Sequence, residues 1–143
     1  METTTKVEID PINGFNKNVK MLIRILKVKY KRILSVERLW NRISIVTDNV
    51  PDALIDIVGL ELWEHRERIK IRDEHFFLYD FNASQIEQHS DKDVSVEEIR
   101  ELVELTKQGY RESTQAEKNK IYTLVREMLS NYAKWKLQQK NGK

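Results

Sequence analysis

The sequence contains no cysteine, only two prolines and only four glycines among its 143 residues. Without cysteine the chain can form neither a disulfide nor a thiolate metal site, which is compatible with a reducing compartment. Because prolines and glycines are scarce, few turns are available, and long helices are favoured.

Long apolar runs are missing as well. No run approaches the roughly 20 residues that are needed to span a bilayer. The first ten residues, METTTKVEID, lack the apolar segment of a secretory signal. We therefore expect a soluble, intracellular protein without a membrane span.

Charged residues are abundant, at 34% of the chain, and they are unevenly placed. Residues 1–42 carry ten basic and four acidic side chains, residues 43–117 carry eight and 18, and residues 118–143 carry seven and one. The net charge of +2 thus hides a basic–acidic–basic order. Such a chain can complement itself on folding or meet two kinds of partner.

Apolar residues recur at helical steps of three and four, first at Phe15, Val19, Leu22, Leu26 and Tyr30. The sequence predicts an all-α, single-domain bundle of about five helices over residues 15–138. A flexible or extended arm at residues 1–14 and a solvated tail at residues 139–143 complete this prediction. Eight apolar residues are expected in the core: Leu22, Leu26, Leu39, Leu54, Val58, Leu102, Leu124 and Met128.

Proline and glycine mark the expected helix boundaries. Pro11 and Gly14 are expected to keep the arm out of the first helix. Gly59 leaves two alternatives open for residues 51–73. It lies inside one helix, at a cost of ~1 kcal/mol relative to alanine, or it ends a helix that restarts at once. Gly109 fits the C-terminal end of a later helix.

Two helix starts have polar signatures. Ser95 and Glu98 have the spacing of a capping box, in which each side chain accepts a hydrogen bond from the other residue's backbone N–H. The last helix is expected to begin near Ser113 or Thr114.

The most aromatic stretch is HFFLYDF at residues 75–81. Phe76, Phe77, Tyr79 and Phe81 cannot all share one helix face, because adjacent residues diverge by about 100°. We predict that a helix ends near this stretch and that at least two of the rings enter the core.

Five cations lie on the outer side of the first predicted helix, at steps of 3, 4, 3 and 4: Lys17, Lys20, Arg24, Lys27 and Lys31. This basic ridge extends over ~21 Å at 1.5 Å per residue. Three interpretations compete: a solvated helix face, a contact to nucleic-acid phosphates, and a contact to an acidic protein or to a second copy. The ridge lacks exposed aromatic residues, so that nucleic-acid binding would be non-specific and salt-sensitive.

Two further features favour a protein partner. Met21, Ile25 and Val28 form a second, smaller apolar strip that a helix of the same chain or a neighbour must cover. An acidic ridge on a later helix consists of Glu97, Glu101 and Glu104. Both ridges are expected to lie opposite the core faces of their own helices. They should therefore complement each other more easily between molecules than within one.

No pattern indicates catalysis or a cofactor. His65, His75 and His89 lack the spacing of a metal site, since neither Glu-x-x-His nor His-Glu-x-x-His occurs. No carboxylate is expected among apolar neighbours that would raise its pKa. We therefore predict hydrogen-bonded structural histidines, no metal, no cofactor and no enzyme.

Trp63 lies about 100° from the main apolar stripe of its helix. Core packing is the default interpretation, and the alternative is an exposed tryptophan that anchors a partner, since tryptophan is enriched at the centres of interfaces.

These patterns favour a non-enzymatic helical interaction or structural module that packs into a larger protein assembly or associates with itself. The alternative is a non-specific nucleic-acid-binding protein, and the third hypothesis is an enzyme without a recognisable motif. The lysine-, isoleucine- and asparagine-rich helical composition resembles that of many small proteins of large DNA viruses and phages. This resemblance implies a viral structural component, in the cytoplasm or incorporated in a virion.

Overall fold

The computed structural model describes residues 10–30, 34–81 and 96–141, and it describes their side chains except those of residues 34–35, 96–98 and 141. Within these ranges the chain forms helices and no strand, which confirms the all-α prediction. The elements are α1 (Pro11–Lys29), α2 (Leu34–Asn49), α3 (Ala53–Glu64), α4 (Arg66–Lys70), a π-helical turn (Phe76–Asp80), α5 (Val96–Arg111) and α6 (Gln115–Asn141). The described residues thus hold seven helical elements rather than about five, because α4 and the π-helical turn add to five longer helices.

Helices α1 and α6 form the most extensive helix pair of the described chain, and α3 packs on α6 as well. Polar contacts show that the pair is antiparallel. Near the start of α1, the Nδ2 atom of Asn18 donates to Glu127 Oε1 at 3.0 Å, and Asn131 Nδ2 donates to Asn18 Oδ1 at 3.0 Å. Near its end, Lys29 Nζ lies 3.3 Å from Glu117 Oε1. The two contacts fix the register of α1 against α6.

Helix α1 begins at Pro11, so the boundary predicted at residue 15 is wrong. Asp10 caps the helix, since its Oδ1 atom accepts a hydrogen bond from the Ile12 N–H at 3.1 Å. Pro11 occupies the first helical position, where a backbone N–H would have no partner in the helix, so the missing N–H of proline costs no hydrogen bond. Gly14 lies inside α1, where an added Cβ would come within 3.0 Å of Asn131. Residues 1–9 of the predicted arm lie outside the described part of the chain.

Gly59, for which two alternatives were open, and Gly109, which was expected to end a helix, both lie inside helices. Helix α3 continues through Gly59 and ends at Glu64, so residues 51–73 form two helices whose break falls at His65. An added Cβ at Gly59 would lie 2.2 Å from Tyr132 Cδ1, and one at Gly109 would lie 2.7 Å from Leu26 Cδ2. These glycines permit close helix packing, and Gly109 is not the stop that was predicted, because α5 extends to Arg111.

The last helix begins as predicted. Thr114 Oγ1 accepts a hydrogen bond from the Glu117 N–H at 3.2 Å, and Glu117 Oε1 accepts one from the Thr114 N–H at 3.0 Å. This reciprocal pair is a capping box. Helix α6 then remains helical to Asn141, which includes part of the predicted tail. The capping box predicted at Ser95 and Glu98 lies outside the described side chains.

The predicted core is confirmed, since all eight apolar residues expected there are buried: Leu22, Leu26, Leu39, Leu54, Val58, Leu102, Leu124 and Met128. Their helical spacing places them on the inner faces of five helices. None of the helices in the described ranges has both the length and the apolar character that crossing a membrane requires.

The aromatic prediction is also confirmed. The π-helical turn closes with a hydrogen bond from the Phe81 N–H to the Phe76 carbonyl oxygen at 3.0 Å, which is the i→i+5 pattern. Phe76, Phe77 and Phe81 enter the core, whereas Tyr79 remains exposed. The altered helical turn thereby directs three rings of one short segment inward.

Candidate interaction surface

The second apolar strip of α1 remains on the surface of the folded chain. Met21 is 42% exposed and Val28 is 65% exposed, while Ile25 is half-buried between them. The three side chains follow each other at steps of four and three along α1, which places them on one line of the helix surface. We call these three residues the outer strip.

The outer strip borders a groove between α1 and α6. The groove has a volume of about 980 Å³. Leu124 and Thr123 line its α6 side, and Leu124 contributes one edge of a side chain that is otherwise in the core. The groove therefore has an apolar floor that both helices supply.

Charged side chains surround this floor. On the α1 side these are Arg24 and Lys29, and on the α6 side they are Glu117, Lys120 and Glu127. The Thr114 N–H and then Lys29 stabilise the charged form of Glu117 and lower its pKa. Among the described residues neither Lys120 nor Arg24 has an ion-pair partner, and the guanidinium carbon of Arg24 lies 5.9 Å from the centre of the Trp40 ring. The uncompensated charge at the groove is mainly positive.

The basic ridge is exposed only in part. Lys17 and Arg24 are exposed, whereas Lys20 and Lys27 are half-buried, and Lys31 lies outside the described residues. Lys27 Nζ lies 3.6 Å from Glu37 and 4.8 Å from the centre of the Trp40 ring. Lys27 therefore contacts α2, whereas Arg24 lines the groove.

The acidic ridge on α5 is weaker than its sequence pattern indicated. Glu104 is exposed, but Lys107 Nζ lies 3.0 Å from its carboxylate, and Glu101 is half-buried. The side chain of Glu97 lies outside those that the structure describes. Among the side chains that the structure describes, Glu101 and Glu104 form no ion pair with the basic ridge.

Trp63 lies at the edge of the core and is half-buried. Its ring centre is 5.9 Å from that of Tyr132, and the guanidinium of Arg66 lies 4.4 Å from the ring. Together with Tyr132 and the exposed Leu137, it lines a second cavity of about 570 Å³ near the end of α6. Trp63 is therefore packed along one edge and accessible along the other, and its role as an anchor for a partner stays a prediction.

Glu61 is a buried carboxylate that the sequence interpretation missed. It is 0% exposed, and its Oε2 atom lies 3.1 Å from His65 Nε2. The His65 ring packs against Phe76 at 4.9 Å between ring centres. The available signal was spacing, since Glu61 follows Val58 by three residues and precedes His65 by four. His65 is hydrogen-bonded, as predicted, and this pair helps to hold α3 to the aromatic turn.

A polar network supports the π-helical turn from outside. Arg68 contacts Asp73 at 2.8 Å and Asp80 at 2.6 Å, and His75 Nδ1 lies 2.9 Å from Asp80 Oδ2. The hydrogen bond from Arg68 lowers the pKa of Asp73, and those from His75 and then Arg68 lower the pKa of Asp80. The described residues contain no group of three or more side chains that could hold a metal ion, and His89 lies outside them.

Comparison of the chain with models of known protein families, with curated proteins and with solved structures found no match.

Proposed function

We propose that this protein is a non-enzymatic helical interaction module, which docks another protein in the groove between α1 and α6. The observation that carries the proposal is the outer strip, in which Met21, Ile25 and Val28 form one continuous apolar line beside α6. Single apolar residues on a surface are normal, whereas a continuous apolar patch inside a polar rim is typical of an interaction site.

The form of the groove supports this assignment. Grooves between helices receive an amphipathic helix whose anchors lie three, four and seven residues apart. The outer strip has that same spacing, and the charged rim would control the orientation of the incoming chain. Ile45 provides a contrast within the molecule, because it is 53% exposed but lines neither described cavity.

Site-specific photocrosslinking tests the proposal in the cells that produce the protein. A photoreactive phenylalanine at position 28 should give discrete protein crosslinks, and the same group at position 45 should not. The additional substitution Met21→Asp should remove the crosslinks, while circular dichroism verifies that the fold is kept. Equal crosslinking from positions 28 and 45 would refute the assignment.

The second candidate is non-specific nucleic-acid binding, which the free cations Lys17, Arg24 and Lys120 favour. Phosphate contacts of this kind weaken steeply with salt and do not require apolar groups. In an electrophoretic shift at two salt concentrations, Arg24→Glu would then weaken DNA binding, while Met21→Asp would weaken it much less. If binding follows this pattern and the protein crosslinks are absent, the second candidate replaces the first.

A further inference from the structure

We infer that the occupant of the groove is an amphipathic helix of a different protein, in which acidic residues flank the apolar stripe. The inference rests on the proposed function and specifies the partner's chemistry. It is argued from the length of the outer strip, from the charges on both sides of it, and from the unsuitability of a second copy.

The length of the strip suits two turns of a helix. Met21 and Val28 are seven residues apart, which is about 10 Å along α1 at 1.5 Å per residue. A partner helix with apolar residues at positions i, i+3 or i+4, and i+7 presents anchors over the same distance. The groove volume of about 980 Å³ is large enough to receive several such side chains.

The charged residues of the groove indicate which charge the partner helix carries beside its apolar stripe. Arg24 lies on the α1 side of the groove and Lys120 on the α6 side, so cations stand on both sides of the apolar floor. Lys29 pairs with Glu117, and Glu127 keeps its charge while the Asn18 amide donates to it, so two cations without an ion pair stand against one carboxylate. Carboxylates on both flanks of an incoming stripe would therefore meet cations, whereas lysines there would be repelled.

A second copy of this chain would be a poor occupant. In a two-fold symmetric contact the groove of one copy meets the groove of the other, so two rims whose uncompensated charge is mainly positive would be brought together. The acidic ridge of α5 also lacks an apolar strip, since Ile99, Leu102 and Val103 are all buried. One of its carboxylates, that of Glu104, is already paired with Lys107. In the described ranges an exposed apolar residue between carboxylates is isolated, as Ile71 is between Glu67 and Glu74, so the partner must supply a stripe of such residues.

Two synthetic peptides test the inference by calorimetric titration of the full chain. Both carry one leucine stripe at helical spacing, which is flanked by glutamates in one peptide and by lysines in the other. The glutamate peptide should bind at least about tenfold more tightly, because like charges oppose the lysine peptide. The double substitution Arg24→Glu with Lys120→Glu should reverse this preference. Val28→Asp should abolish binding of both peptides, and the control Ile45→Asp should leave it unchanged.

The other results separate failure of the inference from failure of the proposed function. Equal affinity for both peptides, with loss of both in Val28→Asp, would refute the acidic helix and leave the groove as a docking site. A wild-type dimer that Val28→Asp dissociates would also refute the acidic helix, because the occupant would then be a second copy. Peptide binding that begins only after deletion of residues 1–9 would refute it too, because the occupant would then be that segment. Displacement of the glutamate peptide by duplex DNA, with DNA binding unaffected by Val28→Asp, would refute the proposed function itself.

Discussion

Helix α1 has two apolar strips that differ in their exposure to solvent. The inner strip, which includes Val19, Leu22 and Leu26, is buried against the rest of the bundle. The outer strip of Met21, Ile25 and Val28 consists of similar side chains on the same helix, yet water reaches it. The fold therefore needs only part of the apolar surface that α1 offers. The remainder stays accessible to solvent in the described part of the chain.

The two strips should differ most in how much the truncation of one side chain lowers the free energy of unfolding. Leu26→Ala should lower the free energy of unfolding by about 2–5 kcal/mol, because it leaves a cavity between α1 and α5. Val28→Ala should change it by less than about 0.5 kcal/mol, because an exposed side chain has little packing to lose. Urea denaturation measures both. Similar losses for the two variants would mean that both strips are covered.

The polar contacts that set the register of α1 should have the next largest effect. Asn18 is buried and forms hydrogen bonds with both Glu127 and Asn131 of α6. Asn18→Ala should therefore lower the free energy of unfolding by about 1–3 kcal/mol, because both partners lose a hydrogen bond. Lys29→Met near the end of α1 removes an ion pair to the exposed Glu117 and a hydrogen bond to the Glu112 carbonyl oxygen, and it should cost about 1 kcal/mol. If the order of the two effects is reversed in thermal or urea denaturation, the register depends on Lys29 instead.

A third test concerns the side of α6 that packs against α3. The two helices are in close contact there, in contrast to the open groove between α1 and α6. In Gly59→Ala the new Cβ meets the Tyr132 ring. Overpacking of about 1–3 kcal/mol should exceed the gain in helix propensity of about 1 kcal/mol. The net destabilisation should therefore be up to about 2 kcal/mol. In a Tyr132→Ala background the same substitution should become stabilising. An unchanged sign in this double-mutant cycle would show that the ring is not the obstacle.

The smallest effect is expected at the π-helical turn, where buried rings face inward and an ion network faces solvent. His75 and Arg68 lower the pKa of Asp80 in the folded protein, so this carboxylate adds stability above its ordinary pKa of about 4. That contribution is lost as the pH falls through the lowered value. Asp80→Asn should thus be less stable than the wild type at neutral pH, and the difference should shrink in acid. A constant difference across that range in urea titrations would contradict this.

Spacing along the sequence was sufficient to predict the all-α fold and the inner strip. Residues such as Leu54 and Val58 recur at the helical period, and this period itself defines a face. The start of α6 was predictable for a local reason, because Thr114 and Glu117 bond to each other's backbone. These features depend on residues that are close in the chain.

Features that depend on distant residues were not predictable in the same way. Gly14 and Gly109 look like helix breakers, but each is accommodated by a neighbouring helix that needs the space. Pro11 is different, because the signal was local and was misread: Asp10 caps α1, and proline suits the first turn. The burial of Glu61 depends on where α3 packs. The sequence likewise showed that the outer strip exists, but only the packing of α1 on α6 decides that it borders a groove.

The most direct test of the account uses the absence of cysteine from the chain. A single cysteine introduced by Val28→Cys should react with a thiol reagent at close to the rate of the unfolded protein. One introduced by Leu26→Cys should react only on unfolding, since Leu26 is buried. The glutamate peptide should then protect Cys at position 28 and leave a control Ile45→Cys reactive. Slow labelling at position 28 without peptide, or fast labelling that saturating peptide does not change, would contradict the claim that the outer strip is an open docking site.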